Sequence, residues 1–133
     1  MAKIARTPFN ASRMLTDQIS SSRNLPSRTK GYTYFVTAGS EMEINISYLD
    51  KGSYYKFIIK EETTNAITMT FPSLVGLMIS DVAGTVSVVE DSGNTLTIPS
   101  GAKAGTYIDL LCDGSKWYAR GMSAGSAFTI TTA

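Results

Sequence analysis

From residue 32 onward, apolar and polar side chains alternate with a period of two. In Glu41-Met42-Glu43-Ile44-Asn45-Ile46-Ser47, one face carries Met42, Ile44 and Ile46 and the other carries the polar groups. That is the pattern of a strand buried on one side. Ile67-Thr68-Met69-Thr70-Phe71 repeats it, with threonine as the β-branched residue facing solvent. Further runs of the same kind lie at 32–37, 54–60, 74–79, 85–90, 95–98, 106–112, 117–121 and 128–131. Turn residues separate most of them: Asp50-Lys51-Gly52, Ala83-Gly84, Asp91-Ser92-Gly93-Asn94, Pro99-Ser100-Gly101 and Asp113-Gly114. About ten short strands with no intervening helical period predict an all-β fold, an antiparallel β-sandwich or a jelly-roll/barrel. No fixed-period repeat is detectable. Pro72 and Pro99 follow strand runs directly and are expected to end a strand or mark an edge, because neither can donate to a ladder.

The first 31 residues follow no such pattern. Ser20-Ser21-Ser22-Arg23-Asn24-Leu25-Pro26-Ser27-Arg28 is polar and aperiodic, too poor in apolar groups to fold alone. A short helix over residues 10–19 is conceivable, capped by Asn10 with Ala11, Leu15 and Ile19 on one face. Such a helix would need a surface to lie on. The expected organisation is therefore an extended N-terminal arm, 1–31, before an all-β domain, 32–133.

Charge sharpens this division. The arm carries Lys3, Arg6, Arg13, Arg23, Arg28 and Lys30 against Asp17 alone, a net +5. The body carries six basic residues against ten carboxylates, a net −4, so the overall +1 conceals two oppositely charged parts. Three readings of the arm stay open. It can dock on acidic patches of a protein lattice, where arginine forms bidentate bonds to carboxylates. It can neutralise phosphates, although six basic residues diluted by Ser and Asn make a weak nucleic-acid ligand. It can also be a solvated tail. The residues assigned to partner binding are Arg6, Arg13, Arg23, Arg28 and Lys30.

Candidate chemistry is sparse. The chain has no histidine and one cysteine, Cys112, which removes the common zinc sites and every nucleophile–histidine pair. Cys112 follows Ile108-Asp109-Leu110-Leu111 and reads as a small core hydrophobe. Glu61-Glu62 and Glu90-Asp91 are neighbours on strands and point to opposite faces, so neither forms a catalytic carboxylate pair. Asp91, Asp109 and Asp113 lack the spacing of a calcium loop. No enzyme activity, metal or cofactor is expected. Residues 1–13 lack the apolar segment of a secretory signal, and no apolar run reaches the length of a spanning helix. Synthesis in a cytoplasm and no membrane partner are the expectation.

The sharpest local signal is Ile108-Asp109-Leu110-Leu111-Cys112-Asp113-Gly114-Ser115-Lys116-Trp117-Tyr118-Ala119, a β-hairpin whose Asp-Gly turn favours positive φ. Its tryptophan either fills the core or stacks on a partner. Six aromatic residues, Tyr32, Tyr34, Phe35, Tyr54, Tyr55 and Phe57, divide by alternation between the core and an exposed platform.

This hairpin, with the upstream Asn94-Thr95-Leu96-Thr97-Ile98-Pro99-Ser100-Gly101, resembles β modules of bacteriophage virion structural proteins: capsid decoration proteins, head fibres and tail fibres. The resemblance covers roughly residues 85–121. It implies a capsid decoration (cement) protein on the outside of the head, stabilising the major capsid protein lattice. A homo-oligomer with a trimer favoured, assembly in the host cytoplasm and location on the virion surface follow from the same resemblance. The alternative it implies is a receptor- or glycan-binding module of a head or tail fibre, with Trp117 or Tyr118 stacking on sugar rings.

Overall fold

The computed structural model describes residues 15–26 and 31–132. These residues form ten strands and no helix: β1 (Leu15–Ile19), β2 (Arg23–Asn24), β3 (Tyr32–Val36), β4 (Met42–Asn45), β5 (Tyr54–Ile59), β6 (Ile67–Val82), β7 (Thr85–Ile98), β8 (Tyr107–Cys112), β9 (Trp117–Ala124) and β10 (Thr129–Thr131). The described residues are all-β, as the alternation predicts, in a nearly closed, barrel-like sheet whose end strands β1 and β2 do not pair with each other.

Three successive passes of chain open the fold. β1, β3 and β5 stack in parallel, and β2, β4 and the first part of β6 stack in parallel beside them. The steps are unequal: Leu15 pairs with Tyr32, but Thr33 pairs with Lys56. The C-terminal half then adds antiparallel strands. β8 pairs with β5, β9 fills the space between β8 and β6, and β10 covers the end of β7. Pairing is therefore mixed, with parallel ladders where a purely antiparallel sheet was the expectation.

β6 joins the two halves. Its inward residues are Ile67, Met69 and Phe71 before the bend and Leu74, Gly76, Met78 and Ser80 after it, so the buried parity switches from odd to even. The register with β7 shifts between Thr70 and Leu74. Pro72 sits in this interruption, where a residue without an N–H disrupts no ladder. It marks a corner within a continuous strand. Pro99 follows the last residue of β7 and ends it as expected. The Asp91–Asn94 turn signal is overridden: β7 runs through it, with Asp91, Ser92 and Gly93 paired to β6 and Asn94 opposite the interruption.

The leader also differs from expectation. The helix proposed over 10–19 is a strand in its described part, Leu15–Ile19. Ile19 and Leu25 are buried in the common core. Residues 15–26 thus belong to the folded body, because backbone pairing with β3 and β4 and burial of two aliphatic side chains outweigh the polar composition around them.

The core is aromatic at its centre. Trp117 is fully buried, stacks on Tyr55 at 5.9 Å between centroids, and meets Tyr48 edge-on at 5.7 Å. Its indole N–H donates to the Tyr48 carbonyl at 2.9 Å, which satisfies the one polar group that burial would otherwise penalise. Gly121 lies opposite Ile108 in the β8–β9 ladder, and a Cβ there would stand 2.2 Å from the Tyr107 carbonyl oxygen. Gly121→Ala is expected to cost at least about 1–3 kcal/mol by overpacking. Gly39→Ala, with nothing within 4 Å of its added methyl, is expected to leave the unfolding midpoint in place. Thermal denaturation of the two variants checks the contrast.

Candidate docking surface

The register places the outward side chains of five strands on a grid. One row runs Tyr54, Leu111, Tyr118, Val75 and Ser92 across β5, β8, β9, β6 and β7. The next runs Lys56, Asp109, Arg120, Leu77 and Glu90, and a third runs Ile58, Tyr107, Met122, Ile79 and Val88. Val86 extends the surface beyond Asp81. Exposed large apolar side chains concentrate here: Tyr54, Leu77, Ile79, Val86, Val88, Leu111, Tyr118 and Met122 are all on this face. Exposed apolar residues scattered singly are ordinary, whereas a contiguous set marks an interaction surface.

The local sequence explains the patch. In Leu74-Val75-Gly76-Leu77-Met78-Ile79 both faces of β6 are apolar. Leu74 and Met78 enter the core while Leu77 and Ile79 point out. The middle row supplies charge between two apolar rows. Lys56 Nζ stands 3.8 Å from Asp109 Oδ1 and 5.5 Å from the Tyr107 ring centroid. Glu90 and Arg120 flank Leu77 on its two neighbouring strands, and neither forms an ion pair with another described residue. A shallow depression of about 410 Å³ lies between the first two rows, lined by Val75, Leu77, Leu111, Tyr118, Asp109 and Arg120.

Of the five arm residues singled out in the sequence, the described residues include one. Arg6, Arg13, Arg28 and Lys30 lie outside them. Arg23 is turned onto its own domain: its guanidinium reaches Asp17 Oδ2 at 3.0 Å, donates to the Gln18 carbonyl at 3.2 Å, and lies 5.5 Å from the Tyr34 ring centroid. Its role is to hold the β1 edge. Trp117, a candidate for sugar stacking, is enclosed in the core. Tyr118 is exposed beside it, with its hydroxyl donating to Asp113 Oδ2 at 2.9 Å. Tyr34, Tyr55 and Phe57 are buried and Tyr54 is exposed, the division that alternation predicts. Cys112 is buried. No group of three His, Cys, Asp or Glu side chains among the described residues is placed to hold a metal ion, and no described helix is long and apolar enough to cross a membrane. What sequence reasoning missed is the outward apolar grid itself.

The carboxylates that matter electrostatically serve turns and edges. Asp113 accepts the Ser115 and Lys116 N–H groups at 2.8 and 2.9 Å. Those bonds, joined by the Tyr118 hydroxyl, hold its carboxyl below the usual range and raise the Tyr118 phenol. Asp17 is lowered by the Gln18 N–H and then by Arg23.

No protein-family model, no curated protein and no solved structure matches this chain.

Because the folded pKa of Asp17 is depressed, its contribution to stability is complete above the unfolded carboxylate value of about 3.9. It is lost as pH falls through the lower folded value. Carbon-detected NMR is expected to show Asp17 titrating below 3.8. Arg23→Ala should move that midpoint upward but not fully to 3.8, since the Gln18 N–H bond remains.

Proposed function

We propose that this chain is a bacteriophage capsid decoration protein that docks its outward sheet face on the major capsid protein lattice, outside the head. The observation that carries the reading is the three-row grid, apolar above and below a charged middle row. Apolar rows supply binding free energy, about 25 cal/mol per Å² removed from water before the cost of association. The middle row supplies register, because Glu90 and Arg120 reward only a partner with complementary charges. The resemblance of the Trp117 hairpin to virion β modules points to a shell as the partner. Arg6, Arg13, Arg28 and Lys30 keep the assignment to acidic patches of that shell, while Arg23 is withdrawn from it by its bonds to Asp17 and Gln18.

The mechanism is bridging. A copy seated over a joint between capsid subunits adds buried area to both, so separating them requires stripping the bridge as well. The fibre reading is weaker, because the buried Trp117 offers no stacking face and the exposed Tyr118 is tied to Asp113.

Purified protein mixed with heads that lack it is expected to cosediment at a fixed stoichiometry and to raise their tolerance of heat. A Leu77→Lys/Ile79→Lys double variant should fold but lose most of that binding, since both side chains are outside the core. Undiminished cosedimentation of the double variant, or no cosedimentation of the wild type, refutes the assignment.

A further inference from the structure

The two long edges of the outward sheet are treated differently by the chain. At β1, the Ile19 carbonyl accepts from Thr37 N–H, so Leu15, Asp17 and Ile19 turn their backbone groups toward β3 and Thr16 and Gln18 turn theirs outward. Both outward groups of Gln18 are occupied. Its N–H is bonded to Asp17 Oδ1 at 2.8 Å and its carbonyl to Arg23. Side chains thus blunt this edge, a common protection against strand addition.

The β7 edge has less protection. The β6–β7 turn consists of Ala83 and Gly84, both at positive φ (53° and 84°), the geometry of a two-residue type I′ hairpin. In such a hairpin Val82 and Thr85 form the closing hydrogen-bonded pair, and hydrogen-bonded pairs then recur at every second residue. Thr85, Ser87, Val89, Asp91 and Gly93 therefore face β6. Val86, Val88, Glu90 and Ser92 present their N–H and C=O groups to the open side. Ser92 is partly satisfied by Asp91, whose Oδ1 accepts its N–H at 2.8 Å. From Thr95 onward β10 covers that side. No described strand pairs with β7 there between Val86 and Glu90, and Val86 and Val88 are 64% and 60% exposed.

We infer that this open stretch is the contact between two copies of the chain, β7 pairing antiparallel with the β7 of the second copy about a two-fold axis at Val88. The occupant follows from the edges on offer. A head-to-tail ring closed by strand pairing, the form a trimer would take, needs a second long edge, and the β1 edge is blocked by Asp17 and Arg23. The remaining edges, β2 and β10, are two and three residues long. Only β7 offers a matching length, and an isologous pair uses it twice. Charge selects the register. With Val88 opposite its own copy, Glu90 faces Val86 of the second copy; a slip that centred the axis on Glu90 would oppose two carboxylates.

Antiparallel pairing puts the two Val88 side chains on the same side of the joined sheet. The two outward faces thus form one surface. Seven residues of pairing, Thr85 to Asp91, lie at the small end of stable interfaces, so the association is a concentration-dependent equilibrium. It involves the strand edge, not the face assigned to a shell, and it is measured without shells.

The test is sedimentation of the purified full chain over a concentration series, with amide hydrogen exchange on the same samples. The wild type is expected to reach two chains per particle, with the Val86, Val88 and Glu90 amides slowing as the pair forms. Val88→Pro removes an N–H that faces outward and leaves the β6 bonds intact, so it should sediment as one chain with native far-UV dichroism. Val88→Lys keeps the backbone whole and sets two ammonium groups opposite each other at the axis; it too should remain single. A wild type that stays a single chain, a three-chain particle, or a pair that persists in both variants overturns the inference.

Discussion

Everything in this fold depends on a single strand belonging to two halves of a sheet. β6 is parallel to β4 in its first part, parallel to β9 in its second, and antiparallel to β7 along both. A strand that serves both halves must turn a corner, and its side chains must still point inward on each side of it. The parity switch around Pro72 meets both demands. Between Thr70 and Leu74 β6 advances four residues while β7 advances two, and beyond this irregularity the alternate set of side chains points inward. Without that switch Leu74 and Met78 would leave the core and Leu77 and Ile79 would enter it. The exposed apolar face and the hydrophobic core are thus alternative destinations of the same residues, decided by one backbone irregularity.

The strands around β6 show why its far half is solid enough to carry an exposed apolar surface. Ile130 of β10 packs beneath Gly76, where an added Cβ would stand 2.2 Å from Ile130 Cδ1. Phe128 is buried beside it, its N–H held by Ser80 Oγ at 3.1 Å. The inner side is therefore filled closely against the backbone, and the outer side chains stand on a supported sheet. The hairpin tip differs. Beyond Ser80 both faces of β6 and β7 are exposed, and order there comes from the type I′ turn and the Asp81 cap on the Gly84 N–H.

Much of the body was legible because period-two alternation reports burial directly. The segments around Met42, Ile67 and Trp117 lie where the pattern puts them, as do the turns at Ala83-Gly84 and Asp113-Gly114. Three features were not legible, each for a physical reason. The stacked passes advance by unequal steps, so no sequence period betrays the parallel pairing of β1, β3 and β5. The Asp91–Asn94 segment has turn propensity, but β6 pairs with Asp91, Ser92 and Gly93 and resumes pairing at Thr95, and tertiary pairing overrides local preference. Leu74–Ile79 is apolar at every position, and composition alone cannot say which half of such a run faces water. The arm was misjudged over residues 15–26 for a related reason: two aliphatic residues in a polar stretch look too few to fold, yet Ile19 and Leu25 need only complete a core that others build.

Surface economy explains why the apolar grid carries a charged middle row. An unbroken patch spanning five strands would favour any apolar partner and promote non-specific association. Placing Lys56, Asp109, Arg120 and Glu90 between the apolar rows raises the desolvation cost of every partner that fails to pair them. Lys56 and Asp109 already meet at 3.8 Å, an exposed and therefore weak pair. Arg120 stands beside Asp109 without closing an ion pair, and Glu90 is separated from Arg120 by Leu77. Neither Arg120 nor Glu90 forms an ion pair with another described residue, so in the proposed docking these two charges would set selectivity and Leu77, Ile79 and Met122 strength. A rigid sheet makes the distinction sharp, because side chains held at strand spacing cannot rearrange to rescue a mismatched surface.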